Sequence, residues 1–139
     1  MSVPRRAILP YLRSVAFFKN AVERLARAPE EIRAENLRRW AATVVGVTPI
    51  ASIEPRRRCR AAGVIQNIRI DPRPGSGSIE ATIIDGTGQM VARWLGRHTI
   101  SGIRLGMGLI IEGIPGEQTG GELMVLNPEY ELVPGPEHG

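Results

Sequence analysis

Four guanidinium groups stand within five residues at Arg56, Arg57, Arg58 and Arg60. A guanidinium is a planar fork of donors that grips two oxygens of a phosphate or a carboxylate at once, which a lysine ammonium cannot do. In an extended segment successive side chains alternate in direction, so some of the four must point away from whatever the segment packs upon. Two chemistries suit them. They hold phosphates, with about one to three contacts' worth of counterion release, or they pair with Glu30, Glu31, Glu35 or Glu54 and tie the N-terminal third to the rest. A second set is dispersed: Arg69 and Arg73 flank one turn-rich stretch, Arg93 lies in a β-rich run, and Arg97 with His98 opens the connection after it. Arg93 is the best single anion candidate, and a cross-strand pair with Glu80 is its structural alternative.

For covalent or proton-transfer chemistry the inventory is poor. The chain has two histidines and one cysteine, and neighbouring arginines would lower the thiol pKa of Cys59. No base or oxyanion site can be assigned to it, so Cys59 reads as a packed cysteine. Aspartates and glutamates are scattered without metal-ligand spacing, and one thiol makes neither an internal disulfide nor a cysteine-pair zinc site. The expectation is therefore no catalytic residue, no metal and no cofactor. A single cysteine also fits a reducing, cytoplasmic setting. Pro10, Arg13 and Lys19 interrupt the one N-terminal apolar run, so neither a targeting segment nor a transmembrane helix is expected.

The net charge of +4 hides a division. Residues 1–60 carry 13 basic and 5 acidic side chains and residues 61–139 carry 5 and 9, so the two parts stand at +8 and −4. Such asymmetry points to an acidic partner, either a phosphate backbone or an anionic surface. Aromatic residues make up only 4% of the chain, which leaves the interior to aliphatic side chains and few rings for stacking on bases.

The elements that must position these residues follow from periodicity. Tyr11, Val15, Phe18, Val22 and Leu25 recur at helical steps and predict an amphipathic helix over 11–28. Pro29 suits a first helical position, and Leu37, Trp40, Ala41 and Val44 form the stripe of a second helix that Gly46 would stop. The first 47 residues thus read as a basic helical hairpin. Residues 48–55, with two prolines and no helical period, read as an extended linker. Five strands are expected near 58–70, 79–85, 89–95, 109–114 and 123–132. Asp85-Gly86-Thr87-Gly88 forms a tight hairpin turn between the second and third, and Asn127-Pro128 breaks the last. A long first strand with an internal glycine, Gly63, can bend, which suits a small closed barrel. The fold class is mainly β, a five-stranded OB-fold barrel over 56–133 preceded by the helical hairpin and followed by a flexible tail at 134–139.

The stretch from Asp85 to Leu95, then Gly106, Leu109-Ile110-Ile111-Glu112-Gly113, Glu122-Leu123-Met124 and Asn127-Pro128-Glu129-Tyr130, resembles the OB-fold wedge domain of RecG-type branched-DNA helicases. With the helical part and Trp94-Leu95-Gly96-Arg97 included, the whole chain resembles small actinobacterial OB-fold nucleic-acid-binding domain proteins. The barrel resemblance covers about residues 56–133. It implies contact with single-stranded or branched DNA through the outer barrel face and its loops; with the poor catalytic inventory the expectation is a non-enzymatic module, with RNA as a further candidate partner. It does not imply unwinding, because the chain has no Gly-rich segment followed by Lys and Ser or Thr. In the third strand Met90, Ala92 and Trp94 alternate with Gln89, Val91, Arg93 and Leu95. If the first set faces the core, Trp94 is inside and Leu95 outside.

A different class of function, a protein-interaction or self-association module, rests on the stripe of helix 11–28, which would dock a partner or a second copy. The same basic amphipathic face would also suit a membrane surface, although a membrane partner is not the expectation. The second stripe, with Trp40 at its centre, is expected to pack on the barrel, and Ile50 and Ile53 to lie along it.

Overall fold

The computed structural model describes residues 29–136. The stripe Tyr11 to Leu25, and with it the first helix of the expected hairpin, lies outside the described residues, as does His138. The chain divides into two units, Met1–Arg33 and Ala34–Gly139, and apart from the start of one helix the architecture below is that of the second.

A helix described from residue 29 runs to residue 42. Leu37 and Ala41, one turn apart on the same side, are buried, while Arg38 and Arg39 are exposed. The helix then unwinds through bonds to Trp40 and Ala41 carbonyls from Thr43 and Val44, and Gly46 takes a positive φ of 78° after it. The following segment is not free chain. It makes a 3-10 turn at Ile50–Ser52, the Thr48 N–H donates to the Arg60 carbonyl at 2.8 Å, and Ile50 joins the core.

Seven strands follow: β1 (Cys59–Asp71), β2 (Ser78–Ile84), β3 (Gln89–Leu95), β4 (Gly108–Gly113), β5 (Gly116–Glu117), β6 (Leu123–Leu126) and β7 (Glu129–Val133). They form one sheet in the order β5-β6-β3-β2-β1-β4-β7. Only the β3–β6 pairing is parallel. The four longer strands fall where alternation placed them. The expected last strand is instead divided: β6 pairs with β3 and β7 with β4, because Asn127 turns the chain at a φ of 49° and Pro128 has no N–H to give a ladder. Two residues are therefore all that separates strands lying on different flanks of the sheet. The sheet must curl for that step to be made. Its curl is visible where a Cβ at Gly113 of β4 would meet Val125 of β6 at 2.5 Å.

β1 does the bending. Its first half, Cys59 to Val64, pairs with β4, and its second half, Val64 to Asp71, pairs with β2, with a register shift between Ile65 and Asn67. Gly63 sits where the two partners converge, and a Cβ there would meet Ile83 Cβ at 2.8 Å and the Ile84 backbone at 3.0 Å. The core inside the curl is aliphatic: Ile65, Ile79, Ile83, Met90, Leu109, Ile111 and Val125 are almost wholly buried. Trp94 is inside with them, its indole N–H donating to the Pro128 carbonyl at 3.3 Å, whereas Leu95 is 51% exposed.

Candidate functional site

The arginines singled out by sequence divide into two places. Arg60 lies near the start of β1 and Arg69 near its end, nine residues apart, which at about 3.3 Å per residue is roughly 30 Å of strand. The two sets therefore do not share one short groove.

At the start of β1 the arginines meet carboxylates. Arg60 Nη1 donates to Glu112 Oε1 at 2.7 Å, and Arg58 reaches Glu112 at 3.4 Å and Glu129 at 3.7 Å. Arg57 lies 3.3 Å from Glu54. Of the glutamates expected as partners only Glu54 serves among the described residues. The others come from β4 and β7, more than fifty residues away, which local spacing could not reveal. The Arg60 bond holds the Glu112 carboxyl below its ordinary range. Arg56 stands apart from these pairs with a φ of 67° and donates its own N–H to the Pro115 carbonyl. Cys59, between them, is half-buried. Burial pushes its thiol pKa up and outweighs the Arg58 charge, which acts the other way, so the expected lowering by arginine neighbours is corrected.

At the other end of β1 a different arrangement forms. Arg69 of β1 is opposite Glu80 of β2, and Glu80 is opposite Arg93 of β3. Directly paired residues project to the same face, so the three make one row across three strands. One step along, Asp71, Ser78 and Leu95 make a parallel row. Between these rows and the β1–β2 turn lies an open cleft of about 300 Å³, lined by Arg69, Asp71, Arg73, Ser76, Ser78, Glu80 and Arg93, with Ile70 and Leu95 as its apolar margin. On the far side Arg93 is in register with Leu126 of β6, which is 54% exposed. Asn127 secures this corner: its Oδ1 accepts the Leu95 N–H at 2.9 Å.

The charges of the cleft are partly internal. Both Nε and Nη2 of Arg93 donate to Oε1 of Glu80, so the cross-strand pair foreseen as the alternative is formed. Arg73 grips Asp71 with Nε at 3.0 Å and Nη2 at 2.7 Å from Oδ2, and that grip holds the Asp71 carboxyl below its ordinary range. Arg69 enters no ion pair among the described residues. Arg97 is exposed just beyond β3, and His98 packs over Gly77, where a Cβ would meet its Nε2 at 2.0 Å. Asp71 and the two serines escaped the sequence reading, although an acid two residues before Arg73 was a signal of a local pair.

The Asp85-Gly86-Thr87-Gly88 turn carries more than a hairpin. Asp85 is buried. Its Oδ1 accepts from the Thr87 N–H and hydroxyl and from the Gly88 N–H, and its Oδ2 accepts the Ile50 N–H at 2.9 Å. Arg38 of the helix donates to the Gly86 carbonyl, and Thr87 accepts the Ala51 N–H. This loop is thereby covered by the helix and the 3-10 turn, which leaves the opposite end of β2 and β3 as the open one. Among the described residues no phenylalanine, tyrosine or tryptophan lines the cleft. Tyr130, 39% exposed, instead meets Trp94 edge to face at 5.2 Å. Among the described residues no group of acidic, histidine or cysteine side chains is placed to hold a metal ion.

No family model matches the chain, and no curated sequence matches it significantly. Among solved structures it is similar to part of RecG bound to a three-way DNA junction, with a TM-score of 0.52 and 15% identity over 61% of this chain. The match spans 12% of that protein. A second likeness is to a replication protein A heterotrimer bound to single-stranded DNA, at a TM-score of 0.41 and 17% identity over 66% of each chain. The first of these establishes a shared OB-like fold, mainly β, for the part of the chain that it covers.

Proposed function

We propose that this protein is a non-enzymatic nucleic-acid-binding module that contacts single-stranded or branched DNA through arginine–phosphate bonds at the cleft on the outer face of β1, β2 and β3. The curled sheet is read here as a five-stranded OB barrel whose last strand is broken at Asn127-Pro128. The observation that carries the proposal is the row Arg69–Glu80–Arg93 across three adjacent strands, with Arg73 on the rim of the same cleft. Strands two and three with their flanking loops are the usual oligonucleotide platform of OB-folds. Arg69 is the leading phosphate ligand, Arg73 and Arg93 border its path, and Arg97 with His98 extends it past β3. Arg58 and Arg60 are assigned to holding β1 against its neighbours, and Arg56 and Arg57, the latter paired locally with Glu54, lie outside this path. With no phenylalanine, tyrosine or tryptophan among the described residues that line the cleft, binding is electrostatic: weak in sequence preference, with log K falling by about 0.7 per phosphate contact for single strands as log salt rises. Fluorescence anisotropy with labelled single-stranded DNA, forked DNA and RNA at two salt concentrations tests it. Saturable, salt-sensitive binding that weakens on Arg69→Ala supports the reading, and no binding to any of the three at low salt overturns it.

A further inference from the structure

Two of the three arginines on this cleft are not offered to a ligand as free cations. Arg93 spends Nε and Nη2 on one oxygen of Glu80, whose side chain is only 16% exposed. Arg73 spends Nε and Nη2 on Asp71. A phosphate approaching either guanidinium meets a carboxylate already in the bidentate position it would take. Three arginines and two carboxylates around one cleft also leave a local charge of only +1, so the long-range pull on a polyanion is small for a basic protein.

From this geometry we infer that Glu80 and Asp71 are built-in competitors for phosphate, which set the affinity of the cleft and restrict its phosphate grip in the resting protein to Arg69. The inference rests on the proposed nucleic-acid reading and adds its control. Glu80 is held in the middle of the row by its two strand neighbours, with Arg69 on one side and Arg93 on the other. Both guanidinium contacts fall on Oε1, so Glu80 can rotate away from Arg93 without disturbing a backbone bond. Asp71 differs in also accepting the Arg73 N–H at 3.2 Å, so it is the less easily displaced of the two. A strand of phosphates long enough to hold Arg69 is delivered to Arg93 in the same row and there exchanges with Glu80. A lone phosphate has no such anchor.

The experiment is a charge-for-amide comparison on the full chain. Anisotropy with a labelled single-stranded oligonucleotide is read across a salt series for wild type, Glu80→Gln, Arg93→Ala and the double variant. Glu80→Gln should bind more tightly and steepen the salt slope by about one phosphate contact, so that its advantage over wild type grows about fivefold for each tenfold dilution of salt. The double variant should lose that advantage. In wild type, Arg93→Ala should weaken binding far less than Arg69→Ala. Asp71→Asn serves as the second variant, with a smaller gain, and thermal melts confirm that each variant is folded. Folded Glu80→Gln with unchanged affinity and slope, beside a wild type that binds, overturns this inference and leaves the proposed function standing. Wild type and Glu80→Gln both failing to bind at low salt overturns the proposed function itself.

Discussion

Asp85 shows how one side chain can decide where an open surface lies. It is 2% exposed and fills both oxygens with donors from two separate segments, the Thr87–Gly88 turn and the Ile50 backbone. Sequence placed it as a turn residue, which is half of its work; the bond to Ile50, thirty-five positions away, has no local signature. Hydrogen bonds to a charged acceptor contribute about 1.5 to 3 kcal/mol, and a buried donor left without its partner costs about 1 to 3. Asp85→Ala orphans the Ile50 N–H at a buried site and should lower stability by about 2 to 4 kcal/mol, read as a fall in the urea midpoint at constant slope. A midpoint equal to wild type would mean that the 3-10 turn is not held by this carboxylate. Gly86 belongs to the same device. Its φ is 86°, and a Cβ there would stand 2.2 Å from the Ala34 carbonyl, so Gly86→Ala should also destabilise.

At the scale of elements, the helix and the sheet are joined by Trp40. Its ring is half-buried, it lies on Gly108 of β4, where a Cβ would come 2.4 Å from Cζ2, and its indole N–H donates to the Pro134 carbonyl at 3.1 Å. A fully buried tryptophan cut to alanine costs about 3 to 5 kcal/mol, and this partly exposed one should cost about 2 to 4. Denaturant melts of Trp40→Ala measure it, and an unshifted midpoint together with lost DNA affinity would make the ring a binding residue instead. This packing was legible because Leu37, Trp40 and Ala41 fall on one helical face. So were β1 to β4, whose alternation and turn residues are local, and the inward Trp94, which shares its phase with Met90 and Ala92. The division of the last strand was half legible: Asn127-Pro128 announced a break, but not that its two sides pair with β3 and β4. The site was legible in the same measure. Register brought Arg93 to Glu80 as spacing allowed, whereas the partners of Arg58 and Arg60 come from β4 and β7, distant in sequence and brought near by the order of strands in the sheet.

For the molecule as a whole, the ion pairs of the described residues tie strand to strand at one end of β1 and close locally at the other. Beside the β1–β4 pairing Arg60 and Arg58 converge on Glu112, while Arg73 and Asp71 pair at the other end of β1. Both carboxyls are pulled below their ordinary values, 4.5 for Glu112 by the Arg60 bond and 3.8 for Asp71 by the Arg73 bond. A carboxyl with a depressed pKa in the fold gives stability that is present above its unfolded value and lost as pH falls through its folded one. Stability from these two pairs should therefore be level from neutral pH down to about 5 and decline below about 4.5, Glu112 first in order of ordinary value. Both pairs are solvent-accessible, so the decline should shrink in high salt as screening weakens each ion pair in advance. Urea midpoints taken at pH 7, 5, 4 and 3, at two salt concentrations, measure it. Glu112→Gln should lose part of the acid dependence while keeping the fold, because an amide still accepts from Arg60 but does not titrate. If the midpoint of Glu112→Gln falls with acid as steeply as that of wild type, the acid limb belongs to other carboxylates, and the Arg60–Glu112 pair is a surface contact without weight in folding.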